Sequence, residues 1–168
     1  MSNAFNTVEP DWNSIEPADI IQTPYLASDD MLVVPTQYGQ LKLSISQFGL
    51  RIQNTDDDQH VYGMLTGKCE NETLVFSGDK DHCTLLGGDY RLELFASPLH
   101  FKLYKNDKLV QQSATDGHFV RQHRPPPFAR TDSQWIVCLE LGYDEAVYGL
   151  GEKWAKLDKR GQLVRSYN

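Results

Sequence analysis

Apolar and polar residues alternate along most of the central part of the chain. In the clearest run, Leu92 and Leu94 are separated by Glu93, and Leu99, Phe101 and Leu103 continue the pattern after Pro98. A period of two places alternate side chains on one face of a half-buried β-strand. Similar or shorter apolar runs predict further strands at 41–45, 49–52, 72–76, 83–86 and 135–141. No central segment carries the sustained stripe of an amphipathic helix.

Turn-forming residues separate these predicted strands. Gly87-Gly88-Asp89 supplies residues that tolerate a positive φ, and Asn106-Asp107 lies between two apolar stretches in the manner of a hairpin turn. The segment 124–127 predicts a proline-rich loop. Many short strands joined by frequent turns are typical of antiparallel folds. The sequence therefore predicts an all-β protein built as an antiparallel β-sandwich.

The same alternation predicts the core and the domain boundaries. The residues expected to point inward between two sheets are Leu92, Leu94, Phe101, Leu103, Trp135, Val137 and Leu139. Residues 1–28 contain three prolines without periodicity and predict an irregular N-terminal segment, in which residues 1–4 resemble remnants of an expression tag. We expect the sandwich to occupy 29–150 and residues 151–168 to connect it to a further domain.

Charge and composition exclude several classes of function. The 168 residues carry a net charge of -7, which disfavours binding to nucleic acid. No apolar stretch is long enough to cross a bilayer, and Met1 to Phe5 do not begin a secretory signal. Three cysteines without regular spacing indicate reduced thiols. We therefore expect a cytoplasmic protein that binds neither membranes nor nucleic acid.

No residue pattern predicts a catalytic, metal or cofactor site. The five histidines lack the ligand spacing of a zinc site, and Asp56-Asp57-Asp58 lacks the glycine and glutamate of a calcium loop. Gly149-Leu150-Gly151 has Trp154 where a dinucleotide fingerprint requires its third glycine. The spacing of the acidic residues selects no pair for acid–base catalysis. We therefore predict no catalytic residue, no metal and no cofactor.

The C-terminal part of the chain resembles a known family. It contains the run Tyr148-Gly149-Leu150-Gly151-Glu152, followed by Leu157-Asp158-Lys159-Arg160-Gly161. These two elements, in this order, are similar to the end of the N-terminal domain in glycoside hydrolase family 31. That family includes α-glucosidases, α-xylosidases and sulfoquinovosidases. The segment 97–104, with Asp107-Lys108 after it, looks like a strand pair of the same domain. The resemblance covers roughly residues 40–168.

The resemblance implies a non-catalytic role. The family's N-terminal domain is a galactose-mutarotase-like sandwich that packs against a (β/α)₈ barrel carrying two catalytic aspartates. A barrel needs about 250 residues, so we expect both aspartates to lie outside this chain and the fragment to be inactive alone. The resemblance implies that the domain supports the barrel and shapes the rim of a pocket for α-linked oligosaccharides. The candidate rim or barrel-facing residues are Trp154, Asp158, Arg160 and Asn168.

Two other functions remain open from the sequence. A free-standing carbohydrate-binding module would present aromatic side chains on a sheet face, and Tyr90, Tyr104 and Trp135 are candidates by type. The alternation places Tyr90 and Trp135 with the buried residues, which disfavours that reading. A mutarotase-type epimerase would need a positioned acid and base, typically Glu and His, and the sequence assigns no such pair.

Overall fold

The computed structural model describes residues 14–54, 70–115, 125–131 and 135–146. These residues form twelve β-strands and no α-helix. The strands are β1 (Glu16–Pro17), β2 (Tyr25–Ser28), β3 (Met31–Thr36), β4 (Gly39–Ser46), β5 (Gly49–Asn54), β6 (Leu74–Gly78), β7 (His82–Gly87), β8 (Tyr90–Ala96), β9 (Leu99–Lys105), β10 (Lys108–Gln112), β11 (Phe128–Arg130) and β12 (Trp135–Val137). The all-β prediction is confirmed.

The strands form three antiparallel sheets. One sheet has the order β2-β3-β4-β5, a second has β10-β9-β8-β7-β6, and a small third sheet has β1-β11-β12. Backbone hydrogen bonds join the first two at one corner, where Glu72 N–H donates to Ile45 O at 2.7 Å and Leu74 N–H donates to Asp29 O at 2.7 Å. Ser113 pairs with Leu139 and thereby links β10 to the chain that follows β12.

The hydrophobic core lies between the four-stranded and five-stranded sheets. Leu43 and Ile45 from β4 belong to the same buried cluster as Leu92 and Leu94 from β8. The space left between the facing side chains is about 10 Å³. Such a space is too small for more than about one water molecule, so the two layers are closely packed in the manner of a sandwich core.

The predicted alternation is confirmed in β8 and β9. Leu92, Leu94, Phe101 and Leu103 are all buried, and Leu94 pairs directly with Phe101 across the two strands. The predicted hairpin turn is also confirmed at Asn106-Asp107, where φ is 48° and 59°. Two consecutive positive φ values give the turn whose twist matches that of antiparallel strands.

The prediction for 135–141 is wrong in part. Regular pairing ends at Val137, and only a bridge at Leu139 continues it. Trp135 is half-buried against the core, whereas Val137 is 44% and Leu139 is 49% exposed. The physical reason is that these two side chains do share a face, but that face lines an open groove instead of the closed space between the sheets.

The structure also differs from the irregular segment predicted for residues 1–28. Within its described part, 14–28, the chain forms β1 and β2 and buries Ala18 and Ile20. Their backbones bond to distant strands: Ala18 N–H donates to Phe128 O at 2.9 Å, and Ile20 N–H donates to Ala96 O at 3.0 Å. These contacts to distant residues order a segment whose own sequence has no period.

Candidate functional site

The predicted rim residues lie outside the described part of the chain. All of them fall in 147–168, so their place at the rim or against the barrel stays a prediction; they are Trp154, Asp158, Arg160 and Asn168. The connection predicted for 151–168 also falls there. What the structure does show is a large apolar groove among the described residues, lined in part by Val137 and Leu139.

The groove opens between the edges of the two main sheets. We call it the inter-sheet groove; its volume is about 400 Å³. Its sides carry Phe48, Leu50 and Ile52 from the β5 region, and Val110, Val137 and Leu139 from β10 and the β12 region. The buried rings and side chains of Tyr90, Phe101 and Leu103 form its base.

Several apolar side chains that line the groove are exposed to solvent. Phe48 is 78% exposed and Val110 is 44% exposed, in addition to the exposed Val137 and Leu139. Single exposed apolar residues are ordinary, but a contiguous apolar surface marks a site that something covers. Sequence analysis missed Phe48 and Val110, since neither belongs to an alternating run. The signal available was an aromatic residue directly before the turn glycine Gly49.

One charged side chain lines the groove among the described residues. The Lys105 ammonium lies 4.9 Å from the centroid of the Tyr90 ring, within the range of a cation–π contact. The Tyr90 hydroxyl donates to the Gln47 carbonyl at 3.5 Å, which is a long contact. Apart from these groups and Gln111, the groove is apolar, so it suits an apolar occupant more than a sugar, which needs several directed hydrogen bonds.

The outer face of the five-stranded sheet carries aromatic rings that already have partners. The Phe95 ring lies between His82 and His100, with ring centroids 4.7 Å and 4.6 Å away and nearly parallel planes. The Arg91 guanidinium lies 3.9 Å from the centroid of the Tyr104 ring and also pairs with Glu93. These contacts cover both faces of Phe95 and one face of Tyr104.

The acidic side chains with resolved contacts hold the fold together. Asp30 accepts hydrogen bonds from Asn71 and Ser28, and these bonds hold the pKa of its carboxyl below the usual range. Asp79 accepts from the backbone N–H groups of His82 and Asp81, which likewise lowers its pKa. Both carboxylates stay ionised at neutral pH, which is the behaviour of structural acceptors and not of a general acid.

Further acids also have structural partners. Glu140 accepts from the Gln112 side chain, and Glu145 accepts from Gly142 N–H at 2.7 Å. Glu16 accepts from the Tyr38 hydroxyl at 2.5 Å, and this bond raises the pKa of Tyr38. Carboxylate acceptors of this kind stabilise turns and join strands.

The described cysteines are protonated thiols. Cys83 is buried, and burial, aided by the negative charge of Asp79, raises its pKa to about 11. Burial also raises the pKa of Cys138. Both are free of disulfides, while Cys69 lies outside the described residues. A raised pKa removes the thiolate that nucleophilic or redox chemistry requires.

A metal site and a membrane-spanning helix are both absent from the part of the chain that the structure describes. No group of three or more His, Cys, Asp or Glu side chains there is placed to hold a metal ion. Likewise, those residues include no helix long and apolar enough to cross a membrane. Some of the residues considered above as metal ligands lie outside the described ranges, namely His60, His118, His123 and Asp56-Asp57-Asp58.

Comparison with known proteins assigns the chain to a family. Residues 50–168 match the model of the glycosyl hydrolase 31 N-terminal galactose mutarotase-like domain. The chain is also 26% identical over 121 residues to alpha-xylosidase XylQ of Lactiplantibacillus pentosus. That match covers 71% of this chain and 15% of the length of the relative. The two-layered antiparallel fold agrees with the family model, and the chain belongs to the glycosyl hydrolase 31 N-terminal galactose mutarotase-like domain family.

Proposed function

We propose that this chain is the non-catalytic N-terminal domain of an α-glycosidase. The observation that carries the proposal is the family match over residues 50–168. The contacts of the described acids support it, because Asp30, Asp79 and Glu145 each accept hydrogen bonds from neighbouring groups of the fold, as structural carboxylates do. The relative spans far more residues than this domain, and its name supports an α-xyloside as substrate of the longer protein, with an α-glucoside as the alternative.

The role that we propose is structural. The sandwich supports a catalytic barrel in the same longer chain and shapes the rim of its pocket for α-linked oligosaccharides. The proposed rim or barrel-facing residues are Trp154, Asp158, Arg160 and Asn168. Their types suit the role, since an indole packs on apolar surface or a sugar ring, and the charged and amide groups bond to hydroxyls.

The outer sheet face argues against a free-standing carbohydrate-binding module. Such a module stacks sugar rings on open aromatic faces, whereas His82 and His100 cover Phe95, and Arg91 covers one face of Tyr104. The two histidines within the described ranges, His82 and His100, stack on Phe95. Those two are therefore not arranged as the base of a mutarotase-type epimerase, which needs a His paired with a Glu.

The proposal is tested by activity and by sugar binding. The 168-residue protein should show no turnover of 4-nitrophenyl α-glucoside or α-xyloside and no saturable binding of glucose, xylose or isomaltose. Turnover that disappears in Glu152→Gln or Asp158→Asn would contradict it, and millimolar saturable binding would establish a binding module instead. In the longer protein, Asp158→Asn should raise KM for the α-xyloside about tenfold, the effect of one lost charged hydrogen bond.

A further inference from the structure

Strand β6 forms one edge of the five-stranded sheet, and the two halves of its free side differ. At the start of the strand, Leu74 N–H donates to Asp29 O at 2.7 Å, so the turn between β2 and β3 covers this half of the edge. Residues 75–78 pair with β7 on one side and have no described strand on the other. The second half of β6 is therefore an open edge in the described part of the chain.

The alternation of hydrogen bonds identifies the backbone groups that face outward from this edge. Asp79 N–H donates to His82 O at 3.1 Å, so these two residues form a hydrogen-bonded pair next to the hairpin turn. In an antiparallel ladder such pairs alternate with pairs that exchange no bond. Counting back along β6, Phe76 and Gly78 therefore direct their N–H and C=O groups away from β7. Leu74, whose N–H also points outward, fits this count, and no described group bonds to the outward groups of the other two.

The other edges of the two main sheets are protected against further pairing, whereas β6 is not. A register shift interrupts β2 and another interrupts β10, and β5 carries the exposed Arg51. Irregular pairing and charged side chains are means by which proteins prevent an edge strand from pairing with another chain. β6 contains no charged residue, and its register with β7 is unbroken from Leu74 to Gly78. Its Val75 side chain is also 60% exposed, beside Leu86 of β7, which is 43% exposed, so this edge is both open and apolar.

We propose that β6 pairs antiparallel with β6 of a second copy of this chain, about a two-fold axis that passes beside Ser77. Asp29 occupies the position next to Leu74, so the overlap is restricted to the part of the strand that follows. With Ser77 at the centre, Phe76 of each copy lies opposite Gly78 of the other copy. Each of these two pairs exchanges two N–H···O=C bonds, so the pairing uses all the outward groups of Phe76 and Gly78.

The shape of this short edge favours a second copy over an unrelated strand. A two-fold axis sets each outward donor of one copy against an outward acceptor of the other, because the two edges are identical. The side chains allow this arrangement, since the uncharged Ser77 faces its own counterpart and no like charges meet at the axis. So short a pairing belongs with weak interfaces, which bury less than about 1,200 Å². The dimer should therefore be populated only at high protein concentration, about 0.1 mM or more.

Cross-linking of the 168-residue protein tests the register of the pairing. Ser77 and its counterpart form a pair without hydrogen bonds, in which the Cβ atoms lie about 4.5 Å apart, near the separation that a disulfide spans. Under mild oxidation, Ser77→Cys should give a covalent dimer at least about tenfold faster than Thr84→Cys, because thiols that already face each other have a high effective concentration. Thr84 is the matched control, since it neighbours Ser77 on the same face but lies one strand farther from the axis. Equal rates for the two variants would overturn the proposal, and the unsubstituted protein measures the contribution of the native cysteines.

Charged residues at the axis give an independent measurement by sedimentation equilibrium. Ser77→Lys sets two ammonium groups opposite each other and Ser77→Glu sets two carboxylates opposite each other, so each variant alone should stay monomeric where the unsubstituted protein dimerises. A mixture of the two variants should dimerise again, because unlike charges then face each other across the axis. Thr84→Lys should leave the association unchanged. Ser77 is exposed, so these variants should fold, and circular dichroism checks that they do.

Two results would exclude the pairing. One is an unsubstituted protein that stays monomeric up to about 1 mM, since even a weak interface is populated there. The other is a dimer that Ser77→Lys does not weaken, which would place the contact on another surface. Neither result depends on sugar hydrolysis, so the proposed function stands or falls separately.

Discussion

Truncation of Phe101 is the most direct test of the sandwich core. Phe101 is 4% exposed in the centre of β9, pairs with Leu94 of β8, and meets the Phe128 ring edge-on at a centroid distance of 6.0 Å. Removing the ring loses about 150 Å² of buried apolar surface, which at about 25 cal/mol per Å² costs about 4 kcal/mol. Loss of the aromatic pair adds about 1 kcal/mol, and partial collapse of the cavity subtracts a similar amount.

Phe101→Ala should therefore lower the free energy of unfolding by about 3–5 kcal/mol. Urea melts followed by circular dichroism measure it, since an unchanged m-value shows that the midpoint reports stability alone. Phe48→Ala removes the same ring from a side chain that is 78% exposed and should cost below about 0.5 kcal/mol. A loss below about 1 kcal/mol for Phe101→Ala would mean that the face or the register of β9 assigned here is incorrect.

Three further outcomes follow from the structure. Because folding raises the pKa of Cys83 to about 11, stability should fall by about 2–3 kcal/mol as pH rises from about 9 to 11, and Cys83→Ala should remove that component in pH-dependent melts. Asp107 has a φ of 59°, so Asp107→Gly should stabilise the hairpin by about 1 kcal/mol and Asp107→Ala should not, as thermal melts can show. Residues 155–168 contain few apolar side chains, so their amides should exchange faster than those of β8; slow exchange in dilute monomer would remove the barrel-dependent role of this segment.

Local alternation predicted strands well where one face is fully covered. Leu92 and Phe101 could be assigned to the core because every second residue of β8, and of β9 from Leu99 to Leu103, is buried. The same rule failed at Val137 and Leu139. A two-residue period shows only that alternate residues share a face of the strand. Whether another layer covers that face depends on the whole fold. The groove was therefore not predictable from these residues alone.

Long-range pairing explains why the strands and buried residues within 14–28 were not predicted. Ala18 and Ile20 are buried because their backbones bond to β11 and to the end of β8, roughly 110 and 76 residues away in sequence (128 − 18 and 96 − 20). β4 shows a related effect, since Ser44 is buried although it alternates with the apolar Leu43 and Ile45, and Thr36 at the end of β3 is a second buried polar residue. Thr36 hydroxyl donates to Gly39 O at 2.7 Å, so this polar side chain has a partner that only the folded turn supplies.

The directions of the pKa shifts of the described aspartates and cysteines bear on what the domain contributes. A general acid needs a carboxyl that holds its proton near neutral pH, and a nucleophilic cysteine needs a thiol that loses its proton there. Here the pKa of Asp30 and of Asp79 is lowered, and that of Cys83 and of Cys138 is raised. Each shift moves its group away from these two roles, and each arises from hydrogen bonds or burial within the sandwich. Groups in these states are structural, so the described part of the domain contributes geometry, and in the function proposed above that geometry supports the catalytic barrel of a longer protein.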